Sequence, residues 1–168
     1  MPFSVLSISS LLVARGYSVK IFDERFVKNL DKEILAASSQ SLCVGISAFT
    51  GSQITGALRI ARLIKESYPK IPLVWGGWHP SIFPEQTAMD SNVDMVVYGQ
   101  GERTFSELVD ALADNKPFEN IAGLCYKSGN IIVKTAPRLL EDINNFPPIP
   151  LELIDVRNYI GMHEGLNT

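Results

Sequence analysis

Apolar positions along the chain change spacing several times, and each change marks an element. From Pro2 to Arg15, Val5, Ile8, Leu11 and Leu12 recur at helical spacing, and Gly16 can close that helix in a left-handed cap. Ser18 to Asp23 alternates as a half-buried strand does, and Phe26, Leu30 and Ile34 then stand four apart on a helix within 25–38. Leu42 to Ser47 is apolar almost throughout, the pattern of a strand covered on both faces. It runs into the small-residue loop Ala48 to Ser52, after which Ile54, Ala57, Leu58, Ala61 and Ile64 form one helical stripe. That helix must stop near Tyr68, because Pro69 disfavours a helical residue before it.

The apolar run Pro72 to Trp75 predicts the next strand, broken by Gly76 and Gly77 into a tight loop, and Pro84 has the backbone angle of a first helical residue. A short helix over 85–90 and a buried strand over 94–98 follow. After Gly99-Gln-Gly-Glu102, the residues Phe105, Leu108, Val109 and Leu112 mark a helix that Asn115 to Pro117 end. The pattern then changes: Leu124 to Tyr126 and Ile131 to Val133 are joined by a segment of hairpin-loop composition. From Pro137 onward the prolines at 147, 148 and 150 and the lack of periodicity read as a linker.

Strands alternating with helices predict an α/β fold, a flavodoxin-like (Rossmann-like) three-layer sandwich with a parallel sheet and a C-terminal β-hairpin. The domain is read as 1–136 and the linker as 137–168. In the sheet order 2-1-3-4-5 the first strand is central, yet the chain opens on what reads as the helix after it. Such a gap exposes ladder groups, so instability, substitution by another segment or a strand-exchanged dimer is expected.

The chain has 168 residues, is 46% apolar and carries a formal charge of −3, enough for one core and with no basic run to suit nucleic acid or an acidic membrane. No apolar run reaches the roughly 18 residues of a membrane span, and the expected location is cytoplasmic. Cys43 and Cys125 are too few for a disulfide framework or a paired-cysteine zinc site and read as packing residues.

Ligands of open α/β sheets sit at the carboxyl ends of the strands, which directs attention to three loops. Gly76 and Gly77 let a flat or bulky ligand approach the backbone, or simply turn the chain. A substitution at Gly77 is expected to harm ligand binding more than the fold, unless that glycine has a positive φ angle. Ser47 suits either a backbone cap or a ligand contact. Trp78 suits stacking on a macrocycle edge or a shield over the sheet end. His79, beside Pro80, reads as a polar wall or a loop-fixing hydrogen bond rather than a metal ligand, and the only other histidine is His163. Gly99, Gly101 and Glu102 follow the last parallel strand, where Glu102 would oppose an anion and favour the positive helix end instead. Asp23 at the second predicted strand's end is a weak ribose-binding signal without a glycine-rich first loop.

Taken in order, Pro2 to Tyr17 with Asp23, Gly45-Ile-Ser47, Gly76-Gly-Trp-His-Pro80, Phe83-Pro-Glu85, Gly99-Gln-Gly-Glu102 and Phe146-Pro-Pro148 resemble the N-terminal cobalamin-binding domain of class B radical S-adenosylmethionine enzymes. That group includes cobalamin-dependent methylases and the anaerobic magnesium-protoporphyrin IX monomethyl ester oxidative cyclase. Ser47-Ala-Phe49 stands where the wider family has Ser-x-Leu, and Gly76-Gly77 where it has Gly-Gly. The resemblance implies a cobalamin site made by Ser47, Phe49, Thr50, Gly51, Gly76, Gly77, Trp78, His79, Gly99, Gly101 and Glu102, with no catalytic residue and no metal ligand of the chain's own. It also implies a downstream radical domain with S-adenosylmethionine and a 4Fe-4S cluster.

Two motifs of the wider family are not found in this sequence: Asp-x-His-x-x-Gly, which supplies a cobalt ligand, and Cys-x-x-x-Cys-x-x-Cys, which holds the cluster. Cobalamin without a protein histidine is therefore expected, bound weakly or not at all by this chain alone. A degenerate docking or substrate-positioning module is the alternative; a methylthiotransferase domain would need three cysteines.

Overall fold

The computed structural model describes residues 1–160, so His163 lies outside the described residues. The elements are α1 (Phe3–Ala14), α2 (Leu30–Ser38), β1 (Val44–Ser47), α3 (Ser52–Ser67), β2 (Leu73–Gly76), α4 (Trp78–Ile82), α5 (Pro84–Ala88), β3 (Met95–Val97), α6 (Gly101–Ala113), β4 (Leu124–Ser128), β5 (Ile131–Lys134) and α7 (Arg157–Ile160). One mixed sheet runs in the order β1-β2-β3-β4-β5. Its first three strands are parallel, in the register Val44 to Leu73 and Val74 to Met95, and the hairpin β4–β5 continues it antiparallel from β3. The predicted hairpin thus extends the main sheet.

Alternation along the strands divides the core in two. Trp75, Leu73, Val96 and Cys125 face Ile60, Ala61 and Ile64 of α3 and Ala88 of α5. On the opposite face Val74, Met95, Val97, Leu124 and Tyr126 meet Leu108 of α6, with Phe105 and Leu112 half-buried beside it. Helix α1 packs on α6 rather than on the sheet. It ends as its sequence predicts: Gly16 has φ +84°, and the N–H groups of Gly16 and Tyr17 donate to Val13 and Leu12 carbonyls.

Three expectations are corrected. Residues 18–23 form no strand, and the helix expected within 25–38 begins only at Leu30. The alternation is present, but a strand exists only where a neighbour completes its ladder, and none of the described strands lies beside this segment. The loop expected after Gly77 is instead the short helix α4, which tolerates Pro80 because the missing N–H falls in its first turn.

The amino ends of the strands are tied internally. Asp94 accepts from the Leu73 N–H at 2.6 Å and pairs with Lys65, whose Nζ also donates to the Ile71 carbonyl at 2.9 Å, while Lys127 donates to Val93 at 2.7 Å.

Candidate functional site at the carboxyl ends of the parallel strands

The loops after β1 and β2 are built against each other. Ala48 donates its N–H to the Gly76 carbonyl at 3.0 Å, and the Ala48 carbonyl accepts from the His79 N–H at 3.2 Å. Gly77 starts α4 with φ +95°, and a Cβ placed there would lie 2.9 Å from Ser47 Oγ and 3.0 Å from the Ala48 carbonyl oxygen. The modest fold cost expected of a side chain at Gly77 is therefore corrected: glycine is required here for the two loops to close. Gly51, with φ +111°, turns the β1 loop into α3, where Gln53 accepts the Phe49 N–H at 3.2 Å.

Around this junction the side chains divide into an apolar rim and a few hydroxyls. Phe3 is 56% exposed, Phe49 53% and Trp78 62%, and Phe83 and Ile82 are also exposed. Large aromatic residues beside the carboxyl ends of β1 and β2 are costly to leave in water, and such a patch commonly marks a binding surface. Between them stand hydroxyls with little internal commitment. Ser47 Oγ has only a 3.5 Å approach to Ser4 Oγ, and Thr50 Oγ1 lies 3.4 Å from His79 Nδ1. The His79 ring also leans on Phe83, with centroids 5.5 Å apart. Among the described residues no group of three His, Cys, Asp or Glu converges as a metal site.

The structure brings Ser47, Phe49, Thr50, Gly51, Gly76, Gly77, Trp78 and His79 together, and Gly99 joins them through its N–H, which donates to Ser81 Oγ at 3.1 Å. Gly101 and Glu102 point elsewhere. A Cβ on Gly101 would press on Ile8 at 3.0 Å, and Glu102 accepts from Ser7 Oγ at 2.6 Å, so both fasten α6 to α1. Ser4 and Ser81 reach the site through Ser47 and Gly99, with Phe3 exposed next to Ser4, and none was singled out by sequence. Phe3 and Ser4 gave only a helix start, and nothing local says which loop that start meets.

Gln100 has a further partner. Its Nε2 donates to the Glu141 carbonyl at 3.1 Å and its Oε1 accepts the Glu141 N–H at 2.7 Å, while Arg103 holds the Glu141 carboxylate at 2.8 and 3.1 Å. The Pro-rich segment after the hairpin is therefore fastened along α6, and farther on Tyr159 donates to Asp23 at 2.9 Å.

The described arrangement has counterparts. A family model described as the B12 binding domain matches residues 1–109. The chain is 27% identical over 164 residues to the anaerobic magnesium-protoporphyrin IX monomethyl ester cyclase of Synechocystis, covering 94% of this chain and 32% of that protein. It is 30% identical over 171 residues to an uncharacterised methyltransferase of Pyrococcus horikoshii, covering 94% and 35%. The fold also matches TsrM of Kitasatospora setae, a radical S-adenosylmethionine methyltransferase solved with cobalamin and a 4Fe-4S cluster. There the TM-score is 0.69 at 21% identity, covering 84% of this chain and 27% of that one. The chain thus spans about a third of the length of these curated relatives.

Proposed function

Because the chain belongs to the B12-binding domain family, we propose that it holds cobalamin over the carboxyl ends of β1 and β2 and presents it to an iron–sulfur domain of a longer cytoplasmic protein. The reaction class we infer is methyl transfer or oxidative cyclisation with S-adenosylmethionine. The observation that carries this reading is the exposed rim of Phe3, Phe49 and Trp78 around uncommitted hydroxyls at the closed Ser47–Gly77 junction. Those residues fit a corrinoid, whose broad apolar ring needs flat contacts and whose amide fringe needs small donors and acceptors.

When bound, the cofactor supplies a cobalt centre that carries a methyl group or assists oxidation. The chain's share is placement. Trp78 and Phe49 would cover ring edge and exclude water, Ser47 and Thr50 would bond the amide fringe, and Gly51, Gly76, Gly77 and Gly99 would keep the loops low enough for approach. Gly101 and Glu102 support this surface from behind by holding α1. His79, its ring near Thr50 Oγ1 and leaning on Phe83, would stand as a wall beside the cofactor rather than as a ligand.

An absorbance titration with hydroxocobalamin tests this. Binding by the chain is expected to be weak, because the crevice is open on the β1 side. Trp78→Ala should weaken it by about tenfold, as the loss of roughly 1.4 kcal/mol of contact would. His79→Ala should lower affinity without altering the axial-ligand spectrum. No spectral response at millimolar cobalamin would leave a docking module that keeps only the fold.

A further inference from the structure

The three loops at the carboxyl ends of the parallel strands are not equally secured. Pairing of β1 with β2 continues to Ser47 and Gly76, and Ala48 then bonds the first two loops to each other through Gly76 and His79. Pairing of β2 with β3 ends at Trp75 and Val96. Beyond that point the third loop is tied away from the crevice. The Tyr98 N–H donates to the Gly123 carbonyl at 2.9 Å, and the Gln100 side chain takes both backbone groups of Glu141.

Toward the first two loops it has a single bond, from the Gly99 N–H to Ser81 Oγ at 3.1 Å. Among the described residues no other hydrogen bond joins residues 98–100 to α4. The same hydroxyl donates to the Gly77 carbonyl at 2.7 Å. That carbonyl also accepts the Ser81 N–H at 3.1 Å, so the hydroxyl is not needed to satisfy it. What the second bond does is fix the rotor: a hydroxyl has one proton and two lone pairs, and with the proton committed to Gly77 a lone pair faces Gly99. Ser81 is half-buried, whereas Gly99 is exposed, has φ +75° and has no atom within 4 Å of where a Cβ would stand. The third loop is therefore held from one side and open on the other.

We propose that Ser81 is a positioning residue of the crevice: its hydroxyl joins the Gly99 loop to the Gly77 junction, so that the loops after β2 and β3 present one surface to the ligand. Ser81 acts through Gly77 and Gly99 rather than by contact with what is bound. That the ligand is cobalamin rests on the function proposed above, whereas the link between the loops rests on the hydrogen bonds alone. Ser81→Ala removes the link at little cost to the fold, because alanine is the better helix former and the exposed Gly99 N–H can turn to water. Ser81→Thr keeps it, because a helical threonine also bonds the carbonyl one turn back.

Amide exchange of the chain, resolved residue by residue by NMR, and an absorbance titration with hydroxocobalamin test this together. In Ser81→Ala the Gly99 amide of the unliganded chain should exchange about fivefold faster, as the loss of one ordinary hydrogen bond gives, with the melting temperature and the exchange of β2 unchanged. Affinity for hydroxocobalamin should fall by a similar factor, and Ser81→Thr should restore both. Gly99 exchange in Ser81→Ala equal to that of the unaltered chain would overturn the proposal. So would faster exchange with undiminished affinity, since the loop's position would then be irrelevant to the ligand, and so would a Ser81→Ala chain that fails to fold while Ser81→Thr folds, since the hydroxyl would then serve the core. An unaltered chain that gives no response to millimolar hydroxocobalamin would fault the cobalamin reading instead, and the Gly99 exchange rates would decide the link by themselves.

Discussion

Gly77 is held by its neighbours more tightly than any other glycine of the crevice, because its φ of +95° and the 2.9 Å approach of Ser47 Oγ act together. Gly77→Ala should cost roughly 2–5 kcal/mol, about 1–2 from the left-handed backbone and about 1–3 from overpacking. Denaturant unfolding measures this, and a shift below about 1 kcal/mol would mean that the junction opens freely. The cysteines make the reverse case. Burial pushes the thiols of Cys43 and Cys125 up to about 11, so at neutral pH few are thiolates and both should label slowly with a disulfide reagent until the chain unfolds. Labelling of native Cys43 as fast as a free thiol would contradict this. The sequence assigned these cysteines to packing from their apolar setting alone, but it could not show that Gly77 faces Ser47, since that contact joins two loops from different strands.

Among the elements, the segment after the hairpin owes its path to α6 and the loop before it. Gln100 pairs with both backbone groups of Glu141, as one more rung of a ladder would, and Arg103 and Arg138 add ion pairs with Glu141 and Glu107. Gln100→Ala should therefore free this segment without melting the domain. Amide exchange at Glu141 is expected to rise by about fivefold to thirtyfold, the equivalent of roughly 1–2 kcal/mol for two lost bonds, while the melting temperature moves little. Equal loss of protection in β2 and β3 would show that the clamp belongs to the core. The glycines of Gly99-Gln-Gly-Glu102 drew attention in the sequence, yet the residue between them does this work.

For the whole molecule, acid should act first where Tyr159 meets the segment after α1. Arg25 bonds Asp23 most strongly, and Tyr159 adds to it, so the Asp23 carboxyl sits at about 2 instead of 3.8. A carboxyl lowered on folding contributes stability above its unfolded value, and that contribution is lost as pH falls from about 4 through about 2. The shift corresponds to at most about 2.5 kcal/mol. Roughly half of that is expected, because Arg25 is only two residues away and can still pair in the unfolded chain. Amide exchange around Phe26 and Tyr159 should rise in this window before the sheet responds, and Asp23→Asn should remove the pH dependence. Among the described residues no helix is long and apolar enough to cross a membrane.

The sequence by itself determined the elements whose signals are local. The stripe Ala57, Leu58, Ala61 and Ile64, the apolar runs of β1 to β3, the cap at Gly16 and the hairpin composition near Gly129 each lie within a few residues, and periodicity or turn chemistry suffices there. Tertiary structure alone decided three things. It left residues 18–23 without a ladder, because a strand depends on a neighbour distant in sequence. It joined Ser47 to Gly77 and to Ser4, because loop contacts follow from strand order. It turned Gln100 and Glu102 toward Glu141 and Ser7, because a polar side chain takes the partner that folding brings within reach.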